Sequence, residues 1–319
     1  MTGFRRVVGA IVSAVALTAM TATPVGAQTN SGASGVRISP TRAELTINQG
    51  ESAKAQFSIK NVTNTQVRVV TELNDFEPQE DGSPKPLKDG EHNAATLKDM
   101  LILPQDKVLE PNEEFSSEVF LNVPSTQAPG AYYGLVLYKA VPLGSQGPGQ
   151  VSLTGSVAGI ILVNVPGQVT ESMQLASIKA GKRTNDTDEI RLSNIFAQPF
   201  DSVQVLLKNT GNSFLKPYGR VTVKDFRGNE VATYELNDTD PKANVLPNSR
   251  RIFPNKIEGV KLPGKYTIEA ALSYSNGGDV LTQKVSVWYL PIWIVVLAIV
   301  IVAGLVFVIM RTLRKKSRK

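Results

Sequence analysis

Side chains that could perform acid–base, nucleophilic or metal chemistry are scarce in this sequence. The 319 residues include one histidine, His92, and no cysteine. Zinc sites and thiol chemistry are therefore excluded, and a Ser-His-Asp triad would have to use His92. His92 lies in the polar stretch 85–93, where a lone histidine is usually solvated rather than catalytic. We predict a protein that is not an enzyme and that uses no metal or cofactor.

Carboxylates leave one enzymatic alternative, a hydrolase that acts on the cell wall. Such an enzyme needs a clustered pair of acidic residues in a cleft. Glu113, Glu114 and Glu118 are the candidates, because Glu114 and Glu118 fall on one face of a predicted strand. These glutamates are better explained as charges that keep an exposed sheet edge from pairing with other chains.

The tetrapeptide Asn-Asp-Thr-Asp occurs twice, at 185–188 and at 237–240. Its alternate side-chain oxygens could ligate calcium. Neither copy continues into a twelve-residue calcium loop with its bidentate glutamate. Polar turns are therefore the favoured interpretation.

The elements that must position these residues are strands. Short runs of β-branched and aromatic residues alternate with Asn, Gly and Pro turns, which is typical of antiparallel sandwiches. The predicted strands of the first half are 45–47, 53–59, 67–73, 115–121, 132–138 and 157–165. Residues 94–103 could add a turn or two of helix. We predict an all-β fold: two tandem Ig-like β-sandwich domains followed by one C-terminal transmembrane helix.

The second half repeats the first. Residues 59–64 (Ile-Lys-Asn-Val-Thr-Asn) match 207–212 (Leu-Lys-Asn-Thr-Gly-Asn), and both halves then carry Pro-Asn and Pro-Gly-x-Tyr in the same order. The asparagines suit turns, and Tyr132 and Tyr266 suit a tyrosine corner that closes one sandwich end. The repeat makes 144–149 a hairpin loop rather than a linker, and it places the domain boundary near 166–167.

The C-terminus has the pattern of one membrane span. Residues 292–310 are nineteen consecutive apolar or small residues, and a helix needs about 20 to cross the hydrocarbon core. Aromatic rings precede the run and six basic residues follow it, so the tail is predicted to be cytoplasmic. The predicted anchoring residues are Trp288, Tyr289, Trp293, Arg311, Arg314, Lys315 and Lys316.

The N-terminus has two arginines, a fourteen-residue apolar run and small residues where a signal peptidase cuts. The predicted organisation is a signal peptide (1–27), a flexible linker (28–35), two sandwich domains (36–166 and 167–287), a transmembrane helix (288–310) and a basic tail (311–319). This is a single-pass type I protein of a cell membrane, with its sandwiches outside and its C-terminus in the cytoplasm. The net charge of +6 comes from the two ends of the chain. The sandwiches have a small acidic excess, so no nucleic-acid partner is expected.

Exported domains without cysteine favour a bacterial source, most simply a Gram-positive one. The order of segments, together with residues 109–112 (Leu-Glu-Pro-Asn), 123–124 (Val-Pro) and 129–138 (Pro-Gly-Ala-Tyr-Tyr-Gly-Leu-Val-Leu-Tyr), resembles the WxL-interacting protein family. The resemblance implies a membrane-anchored surface protein. Its first domain would associate with peptidoglycan, its second with a partner, and it would assemble with secreted WxL-type proteins. No single functional residue carries over, since the matching positions suit turns and cores.

The opening of the first domain is similar to pilus-chaperone domains. The similarity rests on 36–42 (Val-Arg-Ile-Ser-Pro-Thr-Arg), 57–61 and 67–69. It implies a sandwich that binds a partner by strand addition. We therefore predict a non-enzymatic surface scaffold or adhesin that binds cell wall, secreted surface proteins or both. The alternative is a chaperone-like assembly factor for exported subunits. The Pro-rich loop 76–93 is either a functional excursion or disordered.

Overall fold

The runs of β-branched and aromatic residues form strands over most of the predicted positions. The computed structural model describes residues 35–88, 90–143, 155–184, 187–274 and 279–316. The signal peptide and linker predicted for 1–35 lie almost wholly outside these residues, as do the loop 144–149 and the last three residues of the tail.

Two sheets with a core between them form the first sandwich. One sheet has the strand order β1-β3-β9-β7, and the other has the order β2-β11-β10-β4-β8. A small hairpin, β5-β6, stands apart from both sheets. The strands are β1 (Val36–Ser39), β2 (Arg42–Thr46), β3 (Ser52–Asn61), β4 (Val67–Asn74), β5 (Phe76–Pro78), β6 (Pro84–Pro86), β7 (Leu101–Ile102), β8 (Lys107–Leu109), β9 (Glu114–Asn122), β10 (Gly130–Pro142) and β11 (Gly155–Val165).

The second sandwich repeats this arrangement. Its sheets have the orders β13-β12-β15-β18 and β14-β20-β19-β16-β17. In both halves a short strand pairs in parallel with the last strand, β2 with β11 and β14 with β20. The strands are β12 (Met173–Thr184), β13 (Thr187–Ser193), β14 (Ile195–Phe196), β15 (Ser202–Asn209), β16 (Tyr218–Lys224), β17 (Glu230–Leu236), β18 (Arg250–Lys256), β19 (Gly264–Ser273) and β20 (Leu281–Tyr289).

Side-chain alternation along the strands makes each core. In β3, Ala55, Phe57 and Ile59 are buried while the residues between them are more exposed. In β19, Tyr266, Ile268 and Ala270 are likewise buried, and the residues between them are more exposed. Each sandwich has its own cluster of buried apolar residues. The all-β prediction with two sandwiches is therefore confirmed.

The repeated turn and corner residues have matching contacts. Asn61 and Asn209 are both fully buried. The Tyr132 hydroxyl donates to the Ala128 carbonyl at 2.9 Å, and the Tyr266 hydroxyl donates to the Leu262 carbonyl at 2.6 Å. Both tyrosine corners are thus confirmed.

The structure differs from the prediction in one place. Residues 94–100 form turns without a helix, and the short strand β7 follows them. The strands flanking 144–149, β10 and β11, pair antiparallel, as expected for a hairpin. The domain boundary at 166–167 stays a prediction, and it falls between the end of β11 and the start of β12.

The C-terminal segment is helix α1 (Ile292–Lys316). Within the described residues it is the one helix long and apolar enough to cross a membrane. Its apolar stretch Ile292–Arg311 has a mean hydropathy of 3.4 and no part of it is buried against the rest of the chain. A rod of exposed Ile, Val and Leu needs an apolar environment, since water disfavours a continuous apolar surface of this size.

Candidate functional site

The two sandwiches meet through an apolar patch on the outer face of β10 and β11. Tyr133, Leu135 and Leu162 point away from the first core and are nevertheless buried. They pack with Phe76 of β5 and with Phe214 and Leu246 of the second sandwich. This contact explains why strand β10 is buried on both faces, whereas a sheet that faces water on one side would alternate.

Glu44 on β2 makes the polar part of this junction. Its carboxylate accepts a hydrogen bond from Lys216 at 2.6 Å and one from the Asn244 amide at 2.7 Å. The same carboxylate lies 3.1 Å from the Arg42 guanidinium. One acidic side chain therefore joins two residues of the second sandwich to a cation of the first.

A backbone contact completes the junction. The Ala131 amide donates to the Asn212 carbonyl at 2.8 Å, and the Asn212 side chain accepts from the Thr170 amide at 2.7 Å. Gly130 lies directly at this contact, with φ of 151°, and a Cβ there would make a tight contact of 3.2 Å with the Asn212 carbonyl oxygen. The turn after β15, which begins at the repeated asparagine, thus holds β10 of the other sandwich.

Hairpin β5-β6 crosses from the first sandwich to the second. The Ile252 amide on β18 donates to the Glu80 carbonyl in the hairpin turn at 2.6 Å. The Glu80 carboxylate lies 3.8 Å from Arg250. Gly82, with φ of 87°, lies against the Arg251 guanidinium, and a Cβ there would collide with it. Residues 76–86 of the segment 76–93 thus form a hairpin that covers part of the β18 edge. Whether the segment is a functional excursion stays a prediction.

The base of the hairpin is held by a buried carboxylate. Asp75 accepts hydrogen bonds from Thr96 at 3.0 Å and from the Asn93 amide at 3.2 Å. His92 Nδ1 lies 3.0 Å from the same carboxylate, and His92 Nε2 lies 2.9 Å from Lys98 Nζ. The chain's one histidine therefore ties down a loop, a role that the sequence did not reveal.

Two cavities flank the hairpin. The first, of about 320 Å³, has an apolar floor that includes Phe76, Ile160, Leu162 and Leu246. The second, of about 460 Å³, lies on the other side of the hairpin, next to Tyr133 and Asn248. Both open between the sandwiches, and the first has the size and apolar lining of a small binding site.

Three arginines and no acidic residue are among the described lining residues of the first cavity. Arg42 pairs with Glu44, and Arg250 is near Glu80. No carboxylate of the described residues forms an ion pair with Arg251, whose Nη1 donates to the Asn244 carbonyl at 2.9 Å. Burial, and then the nearby charge of Arg42, lower the pKa of Arg251, while Asp81 opposes them. An arginine stays protonated at neutral pH even so, and it favours an anionic ligand.

Asn244 adds an unsatisfied group to this cavity. It is 3% exposed, and its side-chain oxygen has no hydrogen-bond partner among the described residues. Its amide nitrogen is occupied by Glu44. A ligand that brings a donor next to its anionic group would satisfy the free oxygen. We call the first cavity, with Arg42, Arg251 and Asn244, the arginine cleft.

The three glutamates of the hydrolase alternative do not meet in a cleft. Glu114 and Glu118 share the outer face of β9, as expected. Glu118 accepts from Lys54 at 2.7 Å and from Gln56 at 2.8 Å, and Glu114 accepts from Ser58, all on β3. Glu113 caps a turn by accepting from the Glu110 amide at 2.8 Å. Their carboxylates are used in cross-strand and turn contacts.

The second Asn-Asp-Thr-Asp copy is a polar turn. Asn237 has φ of 59°, and its side chain bonds the carbonyls of Pro217 and Ala243, both at 2.9 Å. The described residues contain no cluster of three or more His, Cys, Asp or Glu side chains that could hold a metal ion. The first copy lies partly outside the described residues.

The predicted anchoring residues lie along β20 and α1. Trp288 and Trp293 are exposed, and Tyr289 is half-buried at the last position of β20. Arg311, Arg314, Lys315 and Lys316 fall in the last turns of α1. Their role in a membrane stays a prediction. None of them is among the described lining residues of the arginine cleft. The sequence predicted no binding role for the residues of that cleft.

Comparison with known proteins gives structural matches alone. No protein-family model and no curated protein matches the chain. The Class 5 fimbriae chaperone CfaA is 11% identical, with 80% of this chain and 99% of that chain covered and a TM-score of 0.35. The E. coli chaperone DraB is 13% identical, with 78% and 98% covered and a TM-score of 0.34.

A chain in the structure of Salmonella enterica SafA pilin in complex with the SafB chaperone is 12% identical, with 79% and 97% covered and a TM-score of 0.35. These three matches are to pilus-chaperone structures, the class of domain that the opening of the first domain resembles in sequence. At such TM-scores and identities they decide nothing about what this chain binds. None of them bears on the WxL-interacting family.

Proposed function

We propose that this chain is a non-enzymatic, membrane-anchored protein that holds an exported partner in the arginine cleft. Helix α1 crosses the membrane, its basic end stays in the cytoplasm and the sandwiches lie outside. The partner contributes an acidic segment with at least one apolar side chain. The apolar side chain packs on the cleft floor, and the acidic group pairs with Arg251.

The observation that carries this proposal is the combination of lining residues in the first cavity. An apolar floor favours an apolar group, while three guanidinium groups without an acidic lining residue favour a negative charge. Arg251 is half-buried and has no ion-pair partner among the described residues, so a bound carboxylate would meet a poorly solvated cation. Charge-assisted hydrogen bonds in such surroundings contribute about 1.5–3 kcal/mol.

A peptide library tests this proposal. The full-length chain in detergent micelles is exposed to random peptides of equal length, and the bound fraction is sequenced. We expect enrichment of acidic residues next to apolar ones, and loss of this enrichment in Arg251→Gln. Lys179→Gln is the matched control, since Lys179 is an exposed cation of β12 that is not among the lining residues of the cleft. Enrichment that is equal in both variants would refute the arginine cleft as the binding site.

Peptidoglycan and secreted WxL-type proteins are the partners that we propose to test first. They follow from the sequence resemblance, and a surface scaffold or adhesin would bind one or both. Co-sedimentation of the full-length protein with insoluble peptidoglycan tests the wall partner. Retention no greater than that of an unrelated membrane-anchored sandwich would exclude it.

A chaperone-like role by strand addition is the second candidate, and one edge favours it. On its outer side β9 is paired with β7 at Phe120 and Leu121 alone, which leaves residues 114–119 with an open edge. The last strand of the first sandwich is less suitable, because β2 covers it from Ile160 to Asn164. A photo-crosslinker at Ser116, exposed on β9, should join an extended segment of the partner. Crosslinks from the arginine cleft without any from Ser116 would exclude strand addition there.

A further inference from the structure

Strand register gathers three separate parts of the second sandwich at the foot of α1. Strand β20 ends at Tyr289, which pairs with Gly264 of β19 on one side and with Phe196 of β14 on the other. The turn between β16 and β17 joins them, because Phe226 packs directly over Gly264. The Tyr266 corner holds the neighbouring loop through the Leu262 carbonyl.

Large apolar side chains are exposed at this end. Phe226 is 54% exposed, Leu262 52%, Ile195 62% and Trp288 43%. They come from four different segments of the chain, so their proximity is a result of the tertiary fold and not of one apolar stretch of sequence. Single exposed apolar residues are ordinary on a protein surface, whereas four gathered at one end indicate a contact surface.

Basic residues accompany them. Arg227, Lys261 and Lys265 are exposed, and the Arg227 guanidinium lies 5.1 Å from the centre of the Phe226 ring. The same turn contains the acidic residue Asp225, and Glu230 begins β17 directly after it. The Asp225 carboxylate is occupied by the amides of Arg227 at 2.8 Å and of Asn229 at 2.9 Å. Apolar and aromatic groups with adjacent cations are the composition that suits a bilayer interface.

The connection to α1 fixes how far this end is from the bilayer. Leu290 and Pro291 alone separate β20 from α1, and so short a link spans at most about 10 Å. The link is also held, because the Leu290 amide donates to the Phe196 carbonyl at 2.8 Å and the Ile294 amide donates to the Pro291 carbonyl at 3.0 Å. The polar layer on each side of the hydrocarbon is about 5–8 Å thick. A sandwich on so short a tether therefore lies within reach of the headgroups.

We infer that this end of the second sandwich is a lipid-contacting surface that rests on the outer leaflet, with Phe226, Leu262, Ile195 and Trp288 in the headgroup layer. We call it the lipid-facing end. The inference rests on the proposed membrane anchoring of α1. Its consequence is that the sandwiches keep a fixed orientation above the bilayer and do not swing freely on a tether.

Site-specific fluorescence in bilayers tests the inference, and the lack of native cysteine makes single labelling sites simple. Phe226→Cys and Leu262→Cys are labelled with an environment-sensitive dye in the full-length chain. The protein is reconstituted into vesicles of phosphatidylcholine and phosphatidylglycerol that contain headgroup nitroxide lipids. We expect severalfold stronger quenching at 226 and 262 than at the control site Val280→Cys. Val280 is 65% exposed and precedes the opposite end of β20, about 27 Å away.

A fourth labelled site shows whether a negative result concerns the lipid-facing end alone or also the insertion of α1 into the membrane. Val300→Cys, in the middle of α1, is quenched by nitroxides deep in the acyl chains if the helix is inserted. Deep quenching at 300 with quenching at 226 and 262 no stronger than at 280 would overturn the lipid-facing end and leave the anchor intact. No deep quenching at 300 would overturn both. A dye at 226 that shifts to the blue without headgroup quenching would show contact with a second copy of the chain, which also overturns the inference.

Discussion

Replacing Asn209 by alanine should destabilise the second sandwich severely. Asn209 is fully buried where β15 ends, and its side chain makes three hydrogen bonds to backbone. Its amide donates to the Ser213 carbonyl at 2.8 Å and to the Val245 carbonyl at 2.9 Å, and its oxygen accepts from the Gly211 amide at 2.9 Å. The alanine variant leaves the Ser213 carbonyl and the Gly211 amide without these partners, while the Val245 carbonyl keeps its bond from the Leu215 amide.

The expected magnitude follows from two orphaned groups and one lost bond to Val245. An orphaned buried group costs about 1–3 kcal/mol and a lost hydrogen bond about 1 kcal/mol, and the lower values suit a loop that water can reach after the change, so we expect a loss of about 3 kcal/mol. For a sandwich that lies between the small and the large size classes, at about 4 °C per kcal/mol, this corresponds to a Tm about 12 °C lower. The turn also carries Asn212, Phe214 and Lys216, so the junction with the first sandwich should loosen as well.

Circular dichroism of the full-length chain in detergent, followed through thermal unfolding, measures this effect. Asn48→Ala is the control, since Asn48 is an exposed turn asparagine whose amide bonds Glu51. Asn61→Ala is the internal counterpart, because Asn61 makes the matching bonds to the Thr65, Leu109 and Glu110 carbonyls in the first sandwich. If Asn209→Ala lowers Tm no more than Asn48→Ala does, the account of these turns as buried polar ties is wrong.

Three further perturbations have clear expected outcomes. Gly82→Ala should loosen hairpin β5-β6, because φ is 87° there and a Cβ displaces the Arg251 guanidinium from its bond to the Asn244 carbonyl, whereas Gly90→Ala at a similar φ of 83° meets nothing. Hydrogen exchange at the Ile252 amide should speed up in the first variant alone, and equal exchange in both would refute this contact between Gly82 and Arg251. Tyr266→Phe removes the hydroxyl bond to Leu262 and should cost about 1 kcal/mol in chemical denaturation, with Tyr132→Phe giving a similar loss; no loss in either would show that the corners contribute through ring packing alone. Burial acts to raise the pKa of Asp201, but its bonds to Lys182 and to the Arg183 amide outweigh burial and lower it. A carboxyl with a lowered pKa stabilises the fold above its unfolded value of about 4, and this contribution is lost as pH falls through the folded pKa. Asp201→Asn should therefore be less sensitive to acid than the parent chain in urea titrations between neutral pH and about pH 3, and an unchanged acid sensitivity would refute this assignment.

Much of the fold was predictable because its signals are local. Strands such as β3 and β10 can be predicted because they are rich in β-branched and aromatic residues and lie between Asn, Gly and Pro turns. The internal repeat showed which elements of the two halves correspond. It correctly predicted that Asn61 and Asn209, and likewise Tyr132 and Tyr266, make equivalent contacts. Residues 94–100 were harder, since a short apolar run does not separate helix from turns followed by a strand.

The candidate site was not predictable in the same way. Arg42, Asn244 and Arg251 are far apart in sequence and follow no motif. Hairpin β5-β6 has the Pro and Gly content of a loop, so its docking on β18 depends on a backbone bond between Glu80 and Ile252 that has no sequence signature. His92 and Asp75 illustrate the same limit, because their pairing depends on how a loop folds back.

The sequence alone determined the all-β fold class, the internal repeat, the apolar C-terminal helix and the scarcity of side chains suited to catalysis. Periodicity, turn residues and hydropathy act over a few positions, so they can be read along the chain. The tertiary structure alone decided that two sandwiches share the Glu44 junction, that an arginine cleft lies between them, and that Phe226, Leu262, Ile195 and Trp288 meet at the foot of α1. These features arise when strand register and packing bring distant segments together, and that depends on contacts that no local pattern encodes.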